Sequence, residues 1–346
     1  MKICANNSKN WYAENIIVFL LFLSVSFSVV YSQITRFDLS DSAFGGTDGD
    51  IKQYIKIFSG ESLETIPKPF RYRILTPVLA RFLPFLPKSV AVFYEVDDEK
   101  VVKFKFGIVN ALFLCFSALY LYKFCRYLAF SYELSLLGGL FFLCSFYVVN
   151  YAGMPLVDAS AYFIIMASLY AIVKGQNIRF FLLFTLGLFA KETTLLIFIA
   201  VFLIVVGNKE KLIKSALCFP GLSAYAVFRF ILYPTNIGYT YSINKAIQGL
   251  KILIIPSDFL IYMAIDGGLA FGFLWIFAAH GYYCIHKNRG HLLIRLLPLF
   301  WLIVLLPFLL RTNIGRIWFL SFPIVIPLVL SSIKRFFDKG RLLSRF

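Results

Sequence analysis

The chain has 346 residues, of which 60% are hydrophobic and only 15% charged, with 40 Phe, 20 Tyr and a formal net charge of +16. Its mean hydropathy is +0.79. Apolar runs recur along the whole length, which excludes a soluble domain carrying one anchor and fits an integral membrane protein forming a single domain over 1–346. The basic excess is distributed as membrane orientation rather than nucleic-acid binding requires, and no nucleic-acid partner is expected. The sequence carries no Walker-type Gly-Lys-Ser/Thr loop, no dinucleotide-binding glycine pattern and no Cys/His metal spacing.

In chain order, the uncharged runs are Ile16–Gln33, Phe106–Tyr122, Leu134–Tyr151, Ala159–Val173, Phe180–Ala190, Thr193–Val206, Ser215–Phe228, Gly267–Ile285, Leu296–Leu310 and Ile317–Ser332. They predict an all-α, polytopic transmembrane helical bundle of about ten spans. The first run, followed by Tyr-Ser-Gln, also reads as a signal peptide cleaved after Ser32; a retained first span is preferred because its preceding region is long and weakly basic. The fifth and sixth runs are short and only Lys191-Glu192 separates them. One long helix is the alternative, but it would place a Lys-Glu pair at mid-membrane and the basic tail outside. With ten spans and both termini inside, 17 of the 34 basic residues but only four of the 18 acidic ones face the cytoplasm, as the positive-inside rule requires. The expected divisions are a first extracytoplasmic loop at 34–104, the bundle at 105–333 and a basic cytoplasmic tail at 334–346. No cysteine falls in an outer loop, so no disulfide framework is implied.

The first outer loop is the polar exception. Ile51, Tyr54, Ile55 and Phe58 fall at i, i+3, i+4 and i+7, predicting a short amphipathic helix ended by Gly60; Leu75, Val78, Leu79 and Phe82 repeat the spacing. Each apolar face covers about two turns, too few to cross a bilayer that needs roughly 20 residues, so both helices are expected to lie along the interface. Asp48 and Asp50 stand at the start of the first. Downstream, Pro298, Pro307, Pro323 and Pro327 should bend the last two spans.

The topology gathers charge of both signs on one face. Asp158 opens span four, Lys191 and Glu192 form the turn from five to six, Arg229 ends seven, Asp266 precedes eight, and Arg311 and Arg316 flank the turn from nine to ten. They share that side with Asp48, Asp50, Arg71 and Arg73. A mixed cluster there reads as a site for an anionic lipid headgroup beside a general base. Structural readings stand beside this. Thr47 and Asp50 fit a capping box, Asp158 and Asp266 fit N-terminal helix acids, Arg71 and Arg73 fit interfacial arginines reaching for lipid headgroups, and Lys191-Glu192 fits a polar turn. Arg229 lies within an apolar run and needs a partner.

The acidic triplet of the first loop, the segment PFRYRILTP, the Asp of PLVDASAYF, the Lys-Glu of LGLFAKETTLL and the late arginines of RTNIGRIWFLSFPIVIPL together resemble the GT-C class of integral-membrane glycosyltransferases, over most of the chain. The resemblance implies an inverting transferase in the plasma membrane that moves a sugar from a polyprenyl-phosphate carrier to a glycan, lipid or protein acceptor on the extracytoplasmic side. It implies Asp48 or Asp50 as the catalytic base. Arg71, Arg73, Asp158, Lys191, Glu192, Arg229, Arg311 and Arg316 become candidates for the substrate and lipid-phosphate site. The branch of that class with a large soluble domain uses a divalent metal; this chain has no such domain after its last span, so neither metal nor another cofactor is expected. A polysaccharide polymerase would also place arginines in outer loops, though without the acidic pair. A transporter or flippase of a lipid-linked glycan would also want outward cations, but the sequence has no repeat symmetry.

Overall fold

The computed structural model describes residues 8–37, 49–84, 98–234, 247, 260–261, 263–288, 290–310 and 314–343. Asp48 and Arg311 lie outside these, as does most of the loop between Tyr233 and Ser257. Helices make up almost all of the described chain, and no β-sheet occurs among the described residues. In order the α-helices of five or more residues are α1 Ser8–Arg36, α2 Asp50–Ser59, α3 Leu75–Phe82, α4 Asp98–Tyr127, α5 Tyr132–Leu143, α6 Phe146–Tyr151, α7 Asp158–Val173, α8 Asn177–Ala190, α9 Leu196–Ile204 and α10 Asn208–Val227. After a long connection come α11 Leu274–Ile285, α12 Leu297–Leu310, α13 Ile314–Trp318 and α14 Phe322–Leu343.

Four stretches are long and apolar enough to cross a membrane: Tyr12–Arg36, Glu99–Tyr127, Asn208–Leu232 and Ile314–Asp338. A fifth arises if the pair Ala264–Phe271 and Leu274–Ile285, bent by 72°, counts as one span. The ten uncharged runs therefore correspond to four or five long spans plus shorter apolar helices. The expected third span is broken at Cys144 and Ser145, where the Ser145 hydroxyl donates to Phe142 O at 2.7 Å and α6 starts afresh. The eighth is broken at Gly272, whose φ of 55° leaves the helical region. The fifth and sixth are separate helices, because Lys191 is extended (φ −165°, ψ 141°) and a 3₁₀ turn, Glu192–Leu195, follows it.

The two short amphipathic helices form where the sequence places them. Ile51, Tyr54 and Ile57 turn inward on α2, and Gly60 closes it at φ 85°, donating its N–H to Ile57 O. A left-handed residue at that position is the usual reason for glycine there. These inward residues join Ile66, Ala80, Val102, Phe106, Val109, Met154, Leu156 and Val157 in a core of their own. Burial of that apolar surface seats the first loop on the start of α4 and on the segment leading into α7. Polar contacts fix the same junction. Asn110 Nδ2 donates to Met154 O at 2.7 Å, the Thr76 hydroxyl donates to Ser160 Oγ at 2.8 Å, and Ser160 donates to Val157 O at 2.8 Å. Asp158 is thereby delivered to the floor beneath α2.

The larger core joins the remaining helices, with α4 packed between α1, α5 and α7, and with α11 running along α14. That last approach depends on Gly281: a Cβ there would overlap the carbonyl oxygen of Leu328.

Candidate active site

The charged residues converge at the mouth of the bundle, around a cavity of about 370 Å³. Asp50, Arg73, Lys191, Glu192, Arg229 and Arg316 line it on the polar side, and Leu195, Leu196, Ile199, Leu306 and Ile317 form an apolar wall. Its size lies near the low end of the roughly 300–1,000 Å³ typical of small-molecule sites.

Asp158 is the anchor. Its side chain is 1% exposed, and both oxygens are occupied: Oδ1 accepts from Lys191 Nζ at 2.5 Å, and Oδ2 accepts from Arg316 Nη2. The residue before it, Val157, makes no side-chain cap to the helix, and the Asp158 carboxylate serves the two cations. Burial lowers the Lys191 ammonium from its ordinary value; the Asp158 charge opposes that, while Arg316 and Arg73 add to it.

Asp50 sits above this pair. Its Oδ2 accepts from Arg316 Nη1 at 3.3 Å, so one guanidinium spans two carboxylates, one at the start of α2 and one at the start of α7. Asp50 keeps 35% of its side chain exposed and faces the cavity. The difference in exposure decides which carboxylate can meet a substrate: Asp50 is accessible, and Asp158 is sealed and fully engaged. The helix start itself shows no side-chain cap at Gly49, and Thr47, the other half of the expected capping box, lies outside the described residues.

A second ion pair ties the first loop to the bundle. Arg73 Nε donates to Glu192 Oε2 at 2.8 Å, and Arg73 Nη1 donates to the Tyr54 hydroxyl at 3.2 Å. Burial pushes the Tyr54 phenol up from its ordinary value, with the Arg73 charge opposing. Tyr54 is a site residue that the periodicity argument treated only as part of an apolar face; its position one turn after Asp50 was the available signal.

Arg71 and Arg73, two residues apart, have opposite fates. Arg71 is 1% exposed and donates from Nε to Ile66 O at 2.6 Å and from Nη2 to Glu64 O at 2.7 Å. Its guanidinium braces its own loop, and Arg71 is not among the residues that line the cavity. Arg229 lies in the π-turn Phe228–Leu232 at the end of α10, with its guanidinium carbon 5.0 Å from the Tyr72 ring centroid. Among the described residues no carboxylate is within ion-pair distance of it, in contrast to Arg73, Lys191 and Arg316. Asp266, in the π-turn Met263–Gly267, is not among the residues lining the cavity. Among the described residues no group of three His, Cys, Asp or Glu is arranged to hold a metal ion.

No protein-family model and no curated protein matches this chain.

Proposed function

We propose that the chain is a membrane glycosyltransferase of the GT-C kind, transferring a sugar from a polyprenyl-phosphate carrier with inversion. The observation that carries the reading is the meeting of an accessible carboxylate, Asp50, with Arg316, Arg73 and Arg229 on one cavity whose other wall is apolar. The carrier phosphate meets the cations, and the isoprenoid runs along Leu195, Ile199 and Leu306. Asp50 takes the proton of the acceptor hydroxyl as its oxygen bonds to the anomeric carbon. The anomeric C–O bond to phosphate breaks, and the electron pair leaves with the carrier phosphate, whose charge Arg229 and Arg316 stabilise. Arginine suits that role because its planar fork holds two phosphate oxygens at once.

Binding tests the reading first. Arg229→Lys keeps the charge and loses the fork, so affinity for bare undecaprenyl phosphate should fall about tenfold while expression stays normal. Failure of the wild-type protein to bind that lipid would remove the assignment.

The arrangement in the membrane belongs to the same proposal: about ten crossings in the plasma membrane, the shorter apolar helices included, with both termini in the cytoplasm and the cavity outside. Cysteine labelling in intact cells should reach position 60 from outside and position 288 only from inside. Outside labelling of 288 would disperse the site.

A further inference from the structure

The turn after Lys191 holds two polar atoms that the charge network leaves unused. Glu192 Oε2 is occupied by Arg73, but Glu192 Oε1 is buried and has no hydrogen-bond partner among the described residues; the same is true of Thr193 Oγ1 next to it. Both residues line the cavity. The next hydroxyl along, that of Thr194, is satisfied in the ordinary way, donating to Gly187 O at 2.9 Å.

Local geometry explains the division. A 3₁₀ turn has three residues per turn, so Lys191 and Thr194 share one side, joined by the bond from Thr194 N to Lys191 O at 3.0 Å. That side faces the core, where Lys191 meets Asp158 and Thr194 is fully buried. Glu192 and Thr193 are left on the other side, where both residues line the cavity while their unpartnered oxygens are shielded from it. Buried polar groups in proteins almost always have partners, and two adjacent exceptions on a cavity wall call for a ligand that brings them.

Their chemistry restricts that ligand. A carboxylate already paired with Arg73 offers only an acceptor and repels phosphate oxygens, so the occupant must supply a donor; a threonine hydroxyl both donates and accepts. A sugar hydroxyl meets both demands. We propose that Glu192 Oε1 and Thr193 Oγ1, each turned toward the cavity by a side-chain rotation on binding, form the subsite that hydrogen-bonds a ring hydroxyl of the transferred sugar, beside the phosphate cations. This rests on the glycosyl-transfer reading and assigns the sugar-recognising edge of that site.

The test compares two ligands that share a phosphate and a tail but differ in the sugar. Bare undecaprenyl phosphate and undecaprenyl-phosphohexoses of gluco, manno and galacto configuration are titrated, without acceptor, against wild type, Thr193→Val and Thr193→Ser. Thr193→Val should bind the preferred hexose-loaded carrier at least about tenfold more weakly, because a site built around a hydroxyl discriminates sharply when one partner is missing. Its affinity for bare carrier should be unchanged, and Thr193→Ser should retain most of the wild-type affinity. Since the hydroxyl removed has no partner in the free protein, Thr193→Val should melt no lower than wild type. Equal affinity of wild type and Thr193→Val for every loaded carrier overturns the subsite. Wild type preferring no hexose-loaded carrier over the bare lipid overturns it too. Wild type binding neither kind of carrier overturns the glycosyltransferase reading instead.

Discussion

Asp50→Asn should lower sugar transfer by roughly 10²–10⁴-fold, the usual loss when a positioned general base is removed, while the protein folds normally. Asparagine keeps the shape of the side chain and an oxygen that can still accept from Arg316 at the same place. What it loses is basicity. The charge network leaves Asp50 the accessible carboxylate: Asp158 is sealed beneath Lys191 and Arg316, and one oxygen of Glu192 is committed to Arg73. In the proposed reaction a carrier phosphate arriving at Arg229 would compete for the Arg316 guanidinium and so release Asp50 toward the acceptor. The measurement is transfer of labelled sugar from polyprenyl phosphate in reconstituted membranes, with carrier binding followed alongside. Near-normal turnover in Asp50→Asn would remove Asp50 as the base; loss of carrier binding together with turnover would make it a positioning residue for the cations.

The short amphipathic helix α2 was legible because local signals agree there: a 3.6-residue spacing from Ile51 to Phe58 and a glycine at the left-handed position that ends it. The Lys191-Glu192 turn was legible because a charged pair between two apolar runs has few places to go. The span count was less legible. A run without charges reports solubility in lipid, whereas a span also needs unbroken helix, and breaks such as Ser145 and Gly272 are set by local hydrogen bonding and backbone angle. The division of labour between Arg71 and Arg73 was hidden for a related reason. A two-residue step across the short 3₁₀ segment Phe70–Tyr72 points one arginine at the carbonyls of Ile66 and Glu64 and the other at Glu192. Nothing in an Arg-Tyr-Arg triplet distinguishes them. Thr193 escaped notice because a threonine beside two charges looks like filler until its hydroxyl is seen to lack a partner.

Asp158→Asn carries the largest expected effect on stability, about 3–5 kcal/mol lost, because removing one member of a buried charge group strands the others. In the native protein Asp158 neutralises Lys191 at 2.5 Å and shares Arg316 with Asp50. The amide leaves the buried Lys191 and the partly buried Arg316 facing each other, with the partly exposed Asp50 left to balance Arg316. The two respond differently. Arg316 cannot give up its proton, whereas Lys191, already lowered by burial, loses in the variant the one neighbour that favoured its charged form. Lys191 therefore becomes neutral in the folded variant at a pH where the unfolded chain still holds that proton. Wherever the unfolded state binds more protons, stability rises with pH, so the stability gap between Asp158→Asn and wild type should narrow as pH climbs toward the unfolded lysine value of about 10.4. Adding Lys191→Met should recover part of the loss at neutral pH and abolish that pH dependence, since it removes the stranded ammonium and keeps an apolar stem of similar length. Thermal unfolding in detergent across pH 6–10 compares wild type with both variants. Asp158→Asn as stable as wild type at pH 7, or a double variant no better than the single one, would show that the Lys191–Asp158–Arg316 arrangement does not hold the mouth of the bundle together.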